Sequence, residues 1–306
     1  MHGSIATLLE SVRIHEAQNA GNVTVFPLSR SAGDGPDYLS LDEAIARGWL
    51  VISERSEGGH VPELLAENNA PQAVLIVSGD ELVGARQNRI LNVSILLKSG
   101  SKVVVPVSCS EKGRWHYTSR TFRSSKFMSS PSLRKKKMET VTRSIRLDSS
   151  RRSDQHEIWN RIDEESKRMG VRSKTGAYSD ILESRKANFD EMLTRFPLVP
   201  GQTGMIVFAG LQPLLFEYIS KPAVYARIHK KALSGCLLDA VHLPGNDSGP
   251  ISTREVIDGL RACEDSEHRA IGDGIEIRFQ SPRTEGAALV VDDEPVHMVS
   301  CWELSI

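Results

Sequence analysis

The stretch ARQNRILNVSILLKSGSKVVVPVSCSE, residues 85–111, decides the fold because two apolar runs flank a short turn. The segment Ser99–Ser101 has the composition of a three-residue hairpin loop, which places Lys98 opposite Lys102. The sequence therefore predicts a β-hairpin with one apolar face, formed by the pairs Leu97 with Val103, Ile95 with Val105, Val93 with Val107, and Leu91 with Cys109.

Four polar residues, Arg86 to Arg89, precede the first apolar strand of this hairpin and indicate where a site would lie. Continued further, the same register sets Arg89 opposite Glu111, with Gln87 on the same face and Asn88 between them in sequence. Opposite charges across a strand pair stabilise it by ~0.2–1 kcal/mol. Two interpretations follow: a structural ion pair that closes the end of the core, or the rim of a ligand pocket with an apolar floor.

Small and aromatic residues near this entrance favour the pocket. Gly79 and Gly84 permit positive φ or the close approach of another group. Arg114 stands next to Trp115, and a guanidinium beside an indole can hold a phosphate or stack on a base. Trp115 could instead cap the core.

The whole chain predicts an α+β fold: a β-rich N-terminal barrel or sandwich and a mixed helix and strand C-terminal half. Ser40 and Glu43 form a capping box for a helix in the first part, and Ser252 and Glu255 form another in the second. We divide the chain into residues 1–150 and 151–306, the second packing on the first as one compact unit. Strands are expected at 74–77, 92–97, 102–109, 204–209, 213–218, 275–279, 287–291 and 296–302.

Composition excludes several classes of protein. The 306 residues are 40% hydrophobic and 25% charged, as in ordinary globular proteins with a large core. Four cysteines without a CxxC pair support neither a zinc nor a redox motif, so we expect reduced thiols in a cytoplasmic protein. The uncharged stretch 196–216 contains three prolines and three glycines, which predicts two strands and no membrane segment. Cofactor and oligomeric state are not indicated.

A basic span supplies an alternative function. Residues 114–152 hold twelve Lys or Arg against two acidic residues, although the chain's net charge is −1. We interpret residues 118–152 as a long loop or a partly ordered excursion. Its run RKKK (134–137), with Phe122 and Phe127 nearby, could bind nucleic acid or an acidic partner, which would make the chain a non-enzymatic interaction module.

Two polar residues lie on C-terminal strands. Glu217 ends an apolar run before a predicted helix, where it could act as a general base or serve as a cap or ion-pair partner. His297 alternates with Val296 and Met298, so it faces the other way. A hydrogen-bonded structural histidine is favoured over a catalytic one there. The scattered histidines predict no metal site.

The segments GDELVGARQNRILN (79–92) and VPVSCSEKGRWHY (105–117) resemble the ARG and rhodanese-phosphatase-superfamily-associated protein domain family. Further similar segments cover most of the chain, at 154–159, 204–220, 237–242 and 286–301. The family-like positions are Gly79, Glu81, Gly84, Gln87, Asn88, Arg89, Glu111, Gly113, Arg114, Trp115 and His297.

The resemblance implies a context in NAD-derived or ADP-ribose-type metabolism, because the family is named after ADP-ribosylglycohydrolase and rhodanese-like phosphatase neighbours. We therefore expect a phosphate-containing small molecule to be bound or processed. Arg89 and Arg114 would hold phosphate or carboxylate, while Gln87 and Asn88 would read hydrogen-bonding edges. Together with Trp115 they are the candidate ligand-binding residues, and the candidate catalytic residues are Glu111 and Glu217.

Overall fold

Strands dominate the architecture and form three sheets. The computed structural model describes residues 1–31, 35–56, 62–243 and 251–305. Within these residues the helices are α1 (Gly3–Ser11), α2 (Leu41–Ala46), α3 (Pro131–Asp148), α4 (Gln155–Arg168), α5 (Tyr178–Ser184), α6 (Lys186–Leu193), α7 (Pro222–Ala240) and α8 (Thr253–Arg261). The strands are β1 (Arg13–Ile14), β2 (Gln18–Ala20), β3 (Val23–Ser29), β4 (Tyr38–Ser40), β5 (Leu50–Glu54), β6 (Glu63–Asn68), β7 (Ala73–Ile76), β8 (Asp80–Gly84), β9 (Arg89–Leu91), β10 (Ile95–Leu97), β11 (Lys102–Cys109), β12 (Phe122–Met128), β13 (Gln202–Ala209), β14 (Gln212–Ile219), β15 (Glu264–Arg269), β16 (Ile275–Ser281), β17 (Thr284–Val291) and β18 (Glu294–Trp302).

The largest sheet is antiparallel and has nine strands, in the order β1-β3-β13-β14-β18-β17-β16-β15, with β2 also paired to β3. Alternation along β14 sends Leu215 and Ile219 to one face and Phe216 and Tyr218 to the other. Helices α3 and α7 pack against the first face, and α1 against the second. Strand β3 pairs with β13, so the two predicted parts share this sheet; the boundary near residue 150 stays a prediction.

The second sheet is barrel-like. Its six antiparallel strands follow the order β12-β8-β9-β11-β6-β5, and a bridge between Ser53 and Thr121 brings the two edge strands together. A three-stranded sheet, β10-β7-β4, shares its apolar core. The prediction of an α+β fold with a β-rich N-terminal part is confirmed.

The predicted hairpin register is wrong. Strand β11 pairs with β9 through Val107 opposite Leu91 and Cys109 opposite Arg89, two residues away from the expected alignment. The rest of β11 pairs with β6, and β10 leaves to pair with β7. The chain bends at Asn92, whose side chain binds Ser108 and the Arg151 carbonyl. A shift by two keeps the same residues inside, which is why the apolar pattern alone did not reveal it.

Of the two interpretations of residues 118–152, the long loop is wrong, because the span contains β12 and the 18-residue helix α3. Ser130 caps the helix and Pro131 occupies its first turn, both standard helix-start signals. Arg134 and Lys137 lie buried among the apolar residues of α3, so charged positions that suggest a solvated loop belong to the packed face.

The local helix signals are confirmed. Ser40 accepts a hydrogen bond from the backbone N–H of Glu43 at the start of α2, and Ser252 does the same for Glu255 at α8. Pro222 occupies the first turn of α7, and Gly210 turns β13 into β14 with φ +55°. Across the ranges described above, no helix combines the length and apolarity that a membrane crossing requires.

Candidate functional site

Six of the seven predicted site residues meet where the β8–β9 loop touches the segment after β11. Gly84 enters the loop with φ +130°, and a Cβ there would lie 2.9 Å from the Thr121 carbonyl oxygen. Ser110 N–H donates to the Asn88 carbonyl at 3.0 Å, which joins the two segments. Glycine at position 84 is therefore required both by its φ angle and by the packing.

Arg114 forms hydrogen bonds with residues of both segments at this contact. Its Nε lies 3.0 and 2.9 Å from the two carboxylate oxygens of Glu111, and its Nη2 also donates to Asn88 Oδ1 at 3.1 Å. Its Nη1 donates to the carbonyls of Ala85, at 2.7 Å, and His116. All three nitrogens are therefore engaged, and the buried guanidinium holds the two segments together.

Glu111 pairs with Arg114, while the expected pair with Arg89 is replaced by an ion pair between Arg89 and Glu54 at 3.6 Å. The Asn88 N–H also donates to Glu111, at 3.1 Å. Partial burial raises the pKa of Glu111, but the hydrogen bonds from Arg114 and Asn88 outweigh burial and leave that pKa below its ordinary value. A carboxylate held ionised in this way is a poor proton acceptor.

Arg89 contrasts with Arg114 because most of its hydrogen-bonding capacity is unused. Its Nη1 donates to Gln87 Oε1 at 3.1 Å, but Nε and Nη2 donate no hydrogen bond within the described part of the chain. The side chain is 0% exposed, and Glu54 Oε2 likewise has no hydrogen-bond partner among the described residues. Buried polar atoms in this condition are rare and indicate strain, a water or ion, or a functional role.

Exposed aromatic rings cover this arginine. Trp115 and Tyr117 are 44% and 46% exposed. The Arg89 guanidinium lies 5.9 Å from the Trp115 ring centre, and Arg86 lies 5.6 Å from Trp115 and 4.5 Å from Tyr117. We call Arg86, Arg89, Trp115 and Tyr117 the aromatic–arginine cluster. It combines two cations with two large rings that are half open to solvent.

The amide side chains of Gln87 and Asn88, which were expected to bind a ligand, form hydrogen bonds with other residues of the protein. Gln87 accepts from Arg89 and donates to the Lys112 carbonyl at 3.5 Å. Asn88 Oδ1 accepts from Arg114 and from the Gly84 N–H at 3.3 Å. Both residues therefore shape the loop that carries Arg86 and Arg89.

A carboxyl group missed as a site residue lies beneath the loop. Glu81 is fully buried and accepts hydrogen bonds from Ser110 at 2.8 Å and Ser125 at 2.9 Å. Burial raises the pKa of Glu81 to about 7, against the opposing effect of the two serine hydroxyls. Its position two residues after Gly79, among the family-like positions, was the signal in the sequence.

Glu217 lies in a separate network. It is fully buried on β14, where it forms an ion pair with Arg134 of α3 and a 2.7 Å hydrogen bond with Nε2 of His297. Burial raises the pKa of Glu217, but the charge of Arg134 and the hydrogen bond from His297 outweigh burial and hold that pKa below the ordinary value. His297 faces away from Met298, as predicted, but Val296 packs in the same apolar cluster as Leu215 and Ile219, because an irregularity in the pairing of β17 with β18 interrupts the alternation there. His297 is hydrogen-bonded on both ring nitrogens.

The basic run does not present four free cations. Arg134, Lys135 and Lys137 are buried, with Lys135 paired to Glu139 and Glu303. Lys137 donates to the Leu91 carbonyl, and burial holds its pKa well below the ordinary value. Only Lys136 of the run is exposed enough to meet a large partner, and it pairs with Glu157 at 2.8 Å.

A groove of about 550 Å³ opens elsewhere, beside α3 and α4, and its lining includes Ser132, Lys136 and Arg168. Behind it the carboxylates of Glu165 and Asp239 share the Ser132 hydroxyl, at 3.2 and 2.7 Å. Burial and the neighbouring Asp239 raise the pKa of Glu165 to about 8. Over the ranges the structure describes, no three His, Cys, Asp or Glu side chains are grouped as metal ligands would be.

Comparisons with known proteins give one result. No curated protein and no solved structure matches the chain. The sequence profile of the ARG and Rhodanese-Phosphatase-superfamily-associated Protein domain matches residues 11–301, and the chain therefore belongs to this family.

Proposed function

We propose that this chain binds a phosphate-containing small molecule of the NAD-derived or ADP-ribose type at the aromatic–arginine cluster. The observation that carries the proposal is the buried guanidinium of Arg89, which lies under the half-exposed Trp115 and has two nitrogens that donate to none of the described residues. A phosphate oxygen would supply the missing acceptors. Charge-assisted hydrogen bonds of this kind contribute about 1.5–3 kcal/mol each.

The rings supply the second half of the recognition. A nucleobase or nicotinamide ring would stack on Trp115 or Tyr117. Both residues are nearly half exposed, and both rings contact Arg86. Base stacking on an aromatic side chain contributes ~1–3 kcal/mol. A ligand that carries both a ring and a phosphate would use both contacts. The family's name, which associates it with ARG and rhodanese-phosphatase proteins, supports this ligand class.

The test is a ligand screen by thermal shift and calorimetry with ADP-ribose, NAD, AMP and inorganic phosphate. We expect ADP-ribose or NAD to raise the melting temperature, and Trp115→Ala to weaken binding about 10-fold or more through lost stacking. Trp49→Ala is the matched control, because Trp49 also lies under an arginine, Arg47 at 4.7 Å, in a different part of the molecule.

Two outcomes would overturn the proposal. One is no stabilisation by any of these compounds at millimolar concentration. The other is binding that Trp115→Ala and Trp49→Ala weaken equally, because that would place the ligand away from the aromatic–arginine cluster.

A further inference from the structure

A serine, a histidine and a glutamate that are distant in sequence are connected by two consecutive hydrogen bonds. Ser94 Oγ lies 2.9 Å from Nδ1 of His297, and Nε2 of His297 lies 2.7 Å from Oε1 of Glu217. Arg134 binds the same carboxylate, its Nη2 at 3.3 Å from Oε1. We infer that Ser94, His297 and Glu217 form a nucleophilic hydrolytic site for small O-acyl esters, separate from the proposed ligand site.

The large sheet fixes the two buried members. His297 on β18 pairs with Ile219 of β14, and Glu217 on β14 pairs with Val299 of β18. The two side chains therefore lie on the same face as diagonal neighbours, within reach of each other. Ser94 reaches them from the bend between β9 and β10, the segment that departs from the predicted hairpin.

The chemistry of the three side chains shows which atom donates in each of the two hydrogen bonds. An ionised carboxylate only accepts, so Nε2 of His297 carries the proton donated to Glu217. Nδ1 of the neutral ring is then an acceptor, and the Ser94 hydroxyl donates to it. The Ser78 N–H donates to Ser94 Oγ at 2.9 Å and fixes the hydroxyl in place. A base behind a serine, itself oriented by a carboxylate, is the arrangement of an activated nucleophile.

The three residues differ in exposure in the way that a catalytic triad requires, with the nucleophile the least buried. Glu217 is 0% and His297 1% exposed, whereas Ser94 is partly exposed. Of the three residues, the one that carries the hydroxyl is therefore the most exposed, and the histidine and the carboxylate are buried. Arg134 keeps the carboxylate ionised, and an ionised Glu217 can stabilise the imidazolium that forms on proton transfer.

The reaction balances with these groups and water. Ser94 Oγ attacks the ester carbonyl carbon while its proton passes to Nδ1 of His297. The C–O bond of the tetrahedral intermediate breaks, and the alkoxide leaves as an alcohol with the proton from His297. Water then attacks the acyl-serine, giving its proton to His297, which returns it to Ser94 as the acid departs. Esters are the assigned class because an alkoxide leaves more readily than an amide nitrogen.

The experiment uses a fluorophosphonate probe and p-nitrophenyl acetate on the 306-residue chain. We expect the probe to label Ser94, as located by peptide mass spectrometry, and the ester to be hydrolysed. Ser94→Ala should abolish labelling and lower turnover about 100-fold or more, and His297→Gln should lower both by a similar factor. Ser220→Ala is the matched control, because Ser220 is also partly exposed but is paired with the Tyr38 hydroxyl.

A second variant guards against misfolding. Ser94→Cys keeps a nucleophilic side chain beside His297. Its new thiol should react with iodoacetamide faster than the native, buried cysteines do. The inference is overturned if the folded wild type takes no label at Ser94, if Ser94→Ala hydrolyses the ester at the wild-type rate, or if His297→Gln leaves labelling unchanged. None of these outcomes depends on ligand binding at the aromatic–arginine cluster.

Discussion

Arg114 and Arg89 serve the same loop, but they use their nitrogens differently. Arg114 engages all three with Glu111, Asn88 and backbone carbonyls, whereas Arg89 uses one in a hydrogen bond with Gln87. A saturated buried arginine maintains structure, since it has nothing left to offer a ligand. An unsaturated one costs stability unless a further group binds it. The comparison separates two residues that the sequence assigned to the same role.

The largest expected effect is on Arg114. Arg114→Ala removes the guanidinium and leaves Glu111 ionised in a mostly buried position without its cation, which should lower the free energy of unfolding by about 3–5 kcal/mol. Urea denaturation at pH 7 measures the loss. Arg152→Ala is the control, because Arg152 pairs with Asp148 on the exposed surface, where water and salt screen the pair, and its loss should leave the denaturation midpoint almost unchanged. A loss below about 1 kcal/mol for Arg114→Ala would contradict the structural role.

The next effect concerns Glu81, a carboxyl group whose partners among the described residues are the hydroxyls of Ser110 and Ser125. Its folded-state pKa of about 7 lies above the unfolded value, so the folded protein holds a proton that the unfolded chain releases. The stabilisation is complete below the unfolded pKa and is lost as pH rises through the folded pKa.

Glu81→Gln should therefore reduce the fall in stability between pH 4.5 and pH 8 by about 3 kcal/mol relative to wild type. Denaturation curves at both pH values give this double difference, from which the pH-independent cost of the substitution cancels. Glu111→Gln, at a carboxylate with a lowered pKa, should change the pH dependence in the opposite sense. Parallel curves for wild type and Glu81→Gln would refute the assignment.

The smallest expected effect on stability is at Arg89. Arg89→Met removes one hydrogen bond and a 3.6 Å ion pair, and should cost about 1–3 kcal/mol, less than Arg114→Ala. Adding Glu54→Gln should recover part of the loss, since the unpaired carboxylate is then removed as well. Urea denaturation of the single and double variants tests this. An equal loss for Arg89→Met and Arg114→Ala would abolish the distinction between the two arginines.

Local signals predicted much of the fold. Capping boxes at Ser40 and Ser252, Pro222 at a helix start and Gly210 at a turn act over a few residues, and each is found where the sequence indicated it. The hairpin register failed because β6, which is distant in sequence, supplies the partner for most of β11. A two-residue slip leaves the apolar face unchanged, so burial alone could not distinguish the alternatives.

The candidate sites show the same division. Residues 87–89 and 111–115 were predicted to meet, and they do, because both segments flank paired strands. The exchange of partners between Arg89 and Arg114 depends on Glu54, which no local pattern connects to them. Ser94, His297 and Glu217 have no fixed spacing in sequence, since a bend and a diagonal across β14 and β18 bring them together.

The pairing of β3 with β13 has a consequence during synthesis. Ser29 finds its partner at Gln202, so the apolar strand VTVFPLS leaves the ribosome long before the strand that covers it. At ordinary translation rates the delay is on the order of ten seconds or more. A nascent chain arrested between the two strands would expose an unpaired β-edge to other chains, and we expect chaperone binding to be strongest over that interval.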